Sequence, residues 1–247
     1  MYRRVIAILL SVLAFSGCSV KVDRSECPCL LYLTVAGGED ATLTLTLTSN
    51  NPVSVQTLTL HRQGEEARAA LEIQQNKEYS LLISSGNQLE EDGIIPLGSQ
   101  MSELYLSYET LNCTGDVYEL KSTLHKQFSR LYVNLSGIQG RMCVKSNVCG
   151  WIYQKNEAVN GRFECFPPEI TRGFYKVLLP RQTDSSLILE FYDEVSSIPY
   201  FVFPLGKKLE QLGVDWQKED LEDIWIELEY YDNGINVNVE TWQQIEL

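Results

Sequence analysis

Hydrophobic and polar positions alternate along much of this 247-residue chain. In "ATLTLTLTS" (Ala41 to Ser49), Leu43, Leu45 and Leu47 fall on one face and threonines on the other. "SVQTLTLHR" repeats the period through Gln56, Leu58 and Leu60, and "SRLYVNLSG" through Leu131, Val133 and Leu135. "SLILEFYD" is β-rich throughout, and "DIWIELEYY" lines up Ile224, Ile226, Leu228 and Tyr230. "DNG" (Asp232 to Gly234) then turns the chain, and "INVNVETW" answers with Ile235, Val237 and Val239. Period-two runs bounded by turn residues predict half-buried antiparallel strands, and Asn-Gly predicts a hairpin. Helical candidates are few and short; the best is Leu205 to Leu212, with Gly213 placed to stop it. The pattern predicts an all-β chain of two sandwiches, residues 27–120 and 121–247. No Pro- or Gly-rich linker marks the boundary.

The first residues break this pattern. Arg3 and Arg4 precede an apolar run, Val5 to Phe15, interrupted only by Ser11, and the small pair Ser16-Gly17 leads into Cys18. A basic start, a short apolar run and small residues at a cut site make a signal peptide, residues 1–17. The run is shorter than the about 20 apolar residues a membrane-crossing helix needs. A cysteine directly after the small pair resembles the bacterial lipobox, which implies that Cys18 is acylated and that residues 18–26 are a tether. Phe15 stands where leucine is commonest in that motif. The other reading is an ordinary secreted protein whose signal ends near a cysteine.

Removing the signal leaves 18 basic against 33 acidic side chains, a net charge of about −15. Such a surface repels nucleic acid and anionic headgroups. Membrane contact must then come from the lipid, because buried acyl CH₂ groups each contribute about 0.8 kcal/mol.

Candidate chemistry is sparse. His61 and His125 lie in strand-like runs, and no phosphate-binding glycine loop, nucleophile elbow or zinc-protease helix motif is present. The clusters Glu90-Glu91-Asp92 and Glu219-Asp220-Leu221-Glu222-Asp223 lack the spacing of a calcium loop and read as solvated turns or a helix start. Trp151, Trp216, Trp225 and Trp242 are either packing residues or a carbohydrate platform. Neither a catalytic constellation, a cofactor nor a small-molecule substrate is expected.

Six further cysteines, Cys27, Cys29, Cys113, Cys143, Cys149 and Cys165, are candidates for disulfides in an exported chain, with fifteen full connectivities. They could equally stay free or pair in part. Cys27 and Cys29 are poorly disposed to bridge each other, since extended residues two apart lie about 6.5 Å from one another with Pro28 between them. Cys-Pro-Cys is also not the spacing of a zinc knuckle.

"DRSECPCLLYL" (Asp23 to Leu33) resembles the start of the mature FimB-like fimbrial anchor lipoproteins of the Bacteroidales, in the fimbrillin superfamily. The likeness continues in "YELKSTLHKQFSRLYVNL", "VLLPRQTDSSLILEFYD", "FPLGKKLEQLGVDWQKEDLEDIWIELEY" and "INVNVETW", in that order. It implies two tandem transthyretin-like β-sandwich domains, no catalysis, an outer-membrane position at the cell surface, and fimbrial stalk subunits as partners. Subunits of that superfamily join by β-strand addition, in which a backbone ladder gives affinity and alternate side chains give specificity. The candidate exchanged segment is Ile235, Val237, Val239 and Trp242; its other reading is the internal hairpin partner of Asp223 to Tyr231. By the same resemblance, stalk subunits lose an N-terminal strand by proteolysis. An anchor retaining Cys27 to Val35 would keep its own groove closed, and no arginine-bounded cleavage stretch follows Leu30. The alternative function is a surface lipoprotein that binds glycan or host protein through its sandwich faces.

Overall fold

The structure, a computed structural model, describes residues 28–50, 53–86, 93–137, 140–231 and 234–241. These residues are all-β apart from one short helix. The first group of strands is β1 (Pro28–Ala36), β2 (Thr42–Asn50), β3 (Val53–Gln63), β4 (Glu66–Gln74), β5 (Glu78–Gly86), β6 (Leu104–Asn112), β7 (Val117–Thr123) and β8 (His125–Lys126). The second is β9 (Phe128–Ser136), β10 (Arg141–Ile152), β11 (Glu157–Cys165), β12 (Glu169–Thr171), β13 (Phe174–Pro180), β14 (Ile188–Tyr192) and β15 (Phe201–Phe203). Helix α1 (Leu205–Gln211), β16 (Ile224–Tyr231) and β17 (Gly234–Thr241) complete it.

The first eight strands are hydrogen-bonded in the order β7-β1-β4-β3-β2-β5-β6-β8. At one point this ribbon is barely joined: β3 and β4 pair only at Arg62↔Ala67 and Gln63↔Glu66, beside their turn. The ribbon doubles over there, so the inward leucines of β2 face those of β1. Leu31, Leu33 and Val35 are at most 1 % exposed and share one core with Leu43, Leu45, Leu47, Leu81 and Ile83. Strict alternation puts all of these on the inner face, as a two-residue period requires.

The second core lies between a four-stranded sheet, β11-β10-β14-β15, and a five-stranded sheet, β12-β13-β9-β16-β17. Two strand pairings among the described residues are parallel, β1 with β7 and β9 with β16. Each joins strands far apart in sequence. Helix α1 covers one end of the second core through Leu205 and Leu209, four residues apart on one face. Gly213, at φ +76°, ends it where Val214 N–H returns to the Leu209 carbonyl at 3.1 Å.

The two cores are tied before the chain passes from one to the other. Ile95, Met101, Leu104 and Leu106 precede residue 120 yet pack in the second core. Residues 93–98 strap along β10 and β11: Ile95 N–H donates to Cys149 O at 2.8 Å, and Gly98 N–H to Glu164 O at 2.8 Å. The strap sits so close that a Cβ on Gly150 would meet the Gly93 carbonyl oxygen at 2.0 Å, which requires glycine there.

Candidate functional site

Unpaired strand edges are where a β-sheet can accept a further strand, so these define the candidate site. β1 is held on both sides, antiparallel to β4 from Pro28↔Gln74 to Val35↔Ala67 and parallel to β7 from Leu30↔Val117 to Ala36↔Thr123. β17 has one ladder, to β16, running from Tyr231↔Gly234 to Ile224↔Thr241, and it forms the outer edge of its sheet. Ile235, Val237 and Val239 stand opposite Tyr230, Leu228 and Ile226. Val239 is buried in the second core. Trp242 lies outside the described residues, as do Cys18 and the expected signal and tether. The expected turn residues Asp232 and Asn233 and the Glu90-Glu91-Asp92 cluster also lie outside them.

A second edge opens where β3 and β4 part. Below their shared turn a cavity of about 490 Å³ separates them, lined in part by Leu47, Ser49, Ser54, Gln56, Ile73 and Tyr79. The Ser49 hydroxyl is buried there with no hydrogen-bond partner. β3 presents Val53, Val55 and Leu58 at 79 %, 61 % and 37 % exposure, although its sequence alternates as regularly as that of β2.

Charged side chains knit the junction between the cores. Arg130 on β9 reaches Glu103 at 3.3 Å, Asp223 at 3.6 Å and Glu39 at 3.7 Å, with its guanidinium over the Phe128 ring. Burial works against that charge, but the carboxylates of Glu103 and Asp223 outweigh it and raise the arginine's pKa. Tyr105 donates to Glu39 at 2.6 Å. That hydrogen bond, ahead of the Arg130 charge, holds the Glu39 carboxyl below its ordinary value. Glu39 and Glu103 come from the first half of the chain, and Arg130 and Asp223 from the second.

The acidic run at 219–223 belongs to this junction. Asp220 accepts from the Lys126 N–H at 2.6 Å and from the His125 ring at 2.9 Å. Asp223 pairs with Lys126 and Arg130, and Glu222 with Lys218. The run is thus solvated at Glu219 and Asp220, 82 % and 61 % exposed, and also locks β8 and β9 through Asp220 and Asp223. The sequence marked the acidic residues; it gave no sign that Asp220 and Asp223 meet His125, Lys126 and Arg130, 93 to 97 positions away. Arg181, which sequence reasoning missed, holds the same segment from within. It is 6 % exposed, donates to the carbonyls of Trp216 and Lys218 and to Gln127 Oε1, and its guanidinium stands over the Trp151 ring.

The remaining candidates are dispersed. His61 is exposed on β3, far in sequence and sheet position from His125 on β8. Trp151 is buried, while Trp225 stacks on Tyr132 at 4.1 Å and lies 6.5 Å from Phe174, a ring cluster that uses its own faces. Cys29, Cys113, Cys143, Cys149 and Cys165 are buried, and Cys27 lies outside the described residues. Burial pushes Cys113, Cys143 and Cys165 each up to about 12. Among the described residues no group of three His, Cys, Asp or Glu side chains is placed to hold a metal ion, and no helix is long and apolar enough to cross a membrane.

No family model and no curated protein matches this sequence. Solved structures do. The fimbrial anchor protein Mfa2 from Porphyromonas gingivalis superposes with a TM-score of 0.61 at 10 % identity, over 87 % of this chain and 98 % of that one. The chain has the fold of fimbrial anchor proteins. An adhesin candidate from Bacteroides thetaiotaomicron gives 0.61 at 16 % identity over 87 % and 98 % of the two chains. A candidate polysaccharide-binding protein from the same species gives 0.61 at 11 % over 89 % and 100 %. The likeness is one of all-β sandwich fold, end to end in each partner, and it agrees with the fimbrillin-like resemblance read from Asp23 to Leu33 and beyond.

Proposed function

We propose that this chain is the lipid-anchored base subunit of a cell-surface fimbria. In this reading Cys18 carries the acyl chains that hold it to the outer membrane. Residues 27–120 and 121–247 are tandem sandwich domains, and stalk subunits join by β-strand addition. The carrying observation is the end-to-end coincidence of fold with a fimbrial anchor protein, 87 % of this chain on 98 % of that one. The two chain ends support it. β1, kept in place between β4 and β7, leaves no groove for an incoming strand at that position. β17, at a sheet edge with alternating Ile235, Val237 and Val239, is the segment to donate or to extend. A fully paired β1 also guards against stray edge pairing.

Deletion of the gene tests the role. The expected result is fimbriae that assemble but shed into the medium or grow to abnormal length. Normal, cell-attached fimbriae of normal length would overturn it and favour a glycan-binding surface lipoprotein, a reading to which a candidate polysaccharide-binding protein of the same fold lends support. Cys18→Ser tests the tether separately: it should abolish labelling by a clickable fatty acid and release the protein from the membrane fraction. Equal labelling of both forms would exclude acylation at Cys18.

A further inference from the structure

We propose that Cys29 and Cys113 form a disulfide that clamps the first strand across the first core. Cys29 shares the inward face of β1 with Leu31, Leu33 and Val35, and it stands opposite Ile73 of β4. Cys113 directly follows β6, whose last residue, Asn112, pairs with Glu78 of β5. Backbone bonds draw the two together. Just beyond β4, Asn76 N–H donates to Cys113 O at 2.8 Å. Next to Cys29, Leu30 N–H donates to Asp116 O at 2.9 Å, and the Gln75 side chain donates to Asp116 Oδ1 at 3.0 Å. Within this ring both side chains are 0 % exposed in one core, close enough that Cys29 acts on the Cys113 thiol.

The other described cysteines are differently placed. Cys165 stands opposite Val144, the residue after Cys143, and successive strand residues aim to opposite faces. The Cys149 thiol donates to the Val159 carbonyl at 3.5 Å. These three stay thiols.

The chemistry is ordinary thiol–disulfide exchange. The oxidant is the disulfide of a thiol–disulfide oxidoreductase of the export pathway. One cysteine thiolate attacks it to give a mixed disulfide, and the second displaces the enzyme's sulfur. Two thiols lose two protons and two electrons, and the oxidoreductase leaves as a dithiol. The attacking species is the thiolate, and burial disfavours it at Cys113, so oxidation is fastest while both cysteines are still accessible. It encloses nearly the whole first group of strands and ties β1, which follows the N-terminal tether, to the sheet facing it. A strand so clamped cannot be withdrawn and exchanged. The bond itself stands or falls independently of the fimbrial reading.

The mature chain, exported into an oxidising compartment and alkylated before lysis, should yield on non-reducing peptide mapping a linked pair that contains residues 29 and 113 and lacks two hydrogens. The link should persist in Cys27→Ser and vanish in Cys29→Ser and in Cys113→Ser. Reduction of the wild-type protein should lower its melting temperature by about 10 °C, given the large loop closed. This last arm needs no variant to fold. Alkylation of both cysteines in the exported protein, or a link from Cys113 to any other cysteine, would overturn the assignment.

Discussion

β1 and β17 are alike as sequences, nine and eight residues of alternating character, and unlike as parts of the molecule. β1 buries Cys29, Leu31, Leu33 and Val35 almost completely and carries a ladder on each side. β17 carries one ladder and places Val239 in the core. Burying an aliphatic side chain contributes about 1.5–3 kcal/mol. Withdrawing β1 would therefore cost about as much as the 5–15 kcal/mol that holds a typical domain folded. Releasing β17 breaks one ladder rather than two. Alternation reports that one face of a strand is covered; the number of ladders decides whether the strand can leave.

The sharpest break of this comparison is a charge on each strand. Leu33→Asp places a carboxylate at a position 1 % exposed between two paired strands, with no partner for it. No cooperatively folded protein is expected, read as loss of the thermal transition. Val239→Asp, at the sheet edge, should give a folded protein with a lowered melting temperature, because β17 can shift to let the carboxylate reach water. Equal outcomes for the two variants would erase the distinction between the strands.

Amide exchange tests the same difference without mutation. The amides of Leu31 and Leu33 should exchange only through global opening, and those of β17 through local release of the edge, at least about a hundredfold faster. Comparable protection in both strands would show β17 to be as firmly held as β1.

The alternating runs were legible because each has one covered face. Leu43, Leu45 and Leu47 on β2, Leu131 and Val133 on β9, and Ile224, Ile226 and Leu228 on β16 are buried as their period predicts. The helix at Leu205–Gln211 falls where the pattern ended at Gly213. β10 escaped the period because it is covered on both faces: its Met142, Cys143 and Val144 are buried in succession, and residues 93–98 strap one end. β3 misled in the opposite way. Its leucines alternate, yet Leu58 is 37 % exposed because β4 diverges from it and leaves the cavity open. The junction was not legible, since Arg130 meets Glu103 and Asp223 only after two long-range parallel pairings have been made.

That junction decides whether the core of β1 and the core of β17 melt together. Arg130 is 18 % exposed and faces three carboxylates. Arg130→Ala leaves Glu103 and Asp223 facing each other without it, at a cost of about 2 kcal/mol. Calorimetry should show one transition for the wild type and a broadened or split one for the variant, with one core melting first. An unchanged, single transition would mean that residues 93–106, packed in the second core, couple the two without help from the charges.

The smallest expected effect separates the two regions by acid. Within the second core Glu190 pairs with Lys145 and accepts from the Tyr192 hydroxyl. Burial works to raise its pKa, but the Lys145 and Tyr192 hydrogen bonds outweigh it and hold the carboxyl below its ordinary 4.5. At the junction, the Tyr105 hydrogen bond lowers Glu39 in the same direction. A carboxyl lowered in the folded state stabilises above its unfolded pKa, and that contribution is lost as pH falls through the folded value. Melting temperature should therefore hold from pH 7 to about 5 and fall below about 4.5. Glu190 is 13 % exposed and Glu39 64 %. Solvent screening leaves the first worth about 1 kcal/mol and the second a few tenths. Glu190→Gln should flatten the acid limb of the profile visibly, and Glu39→Gln barely. The reverse order would place the acid-sensitive charge at the junction and make the contact between the cores, rather than the core of β17, the part that fails first.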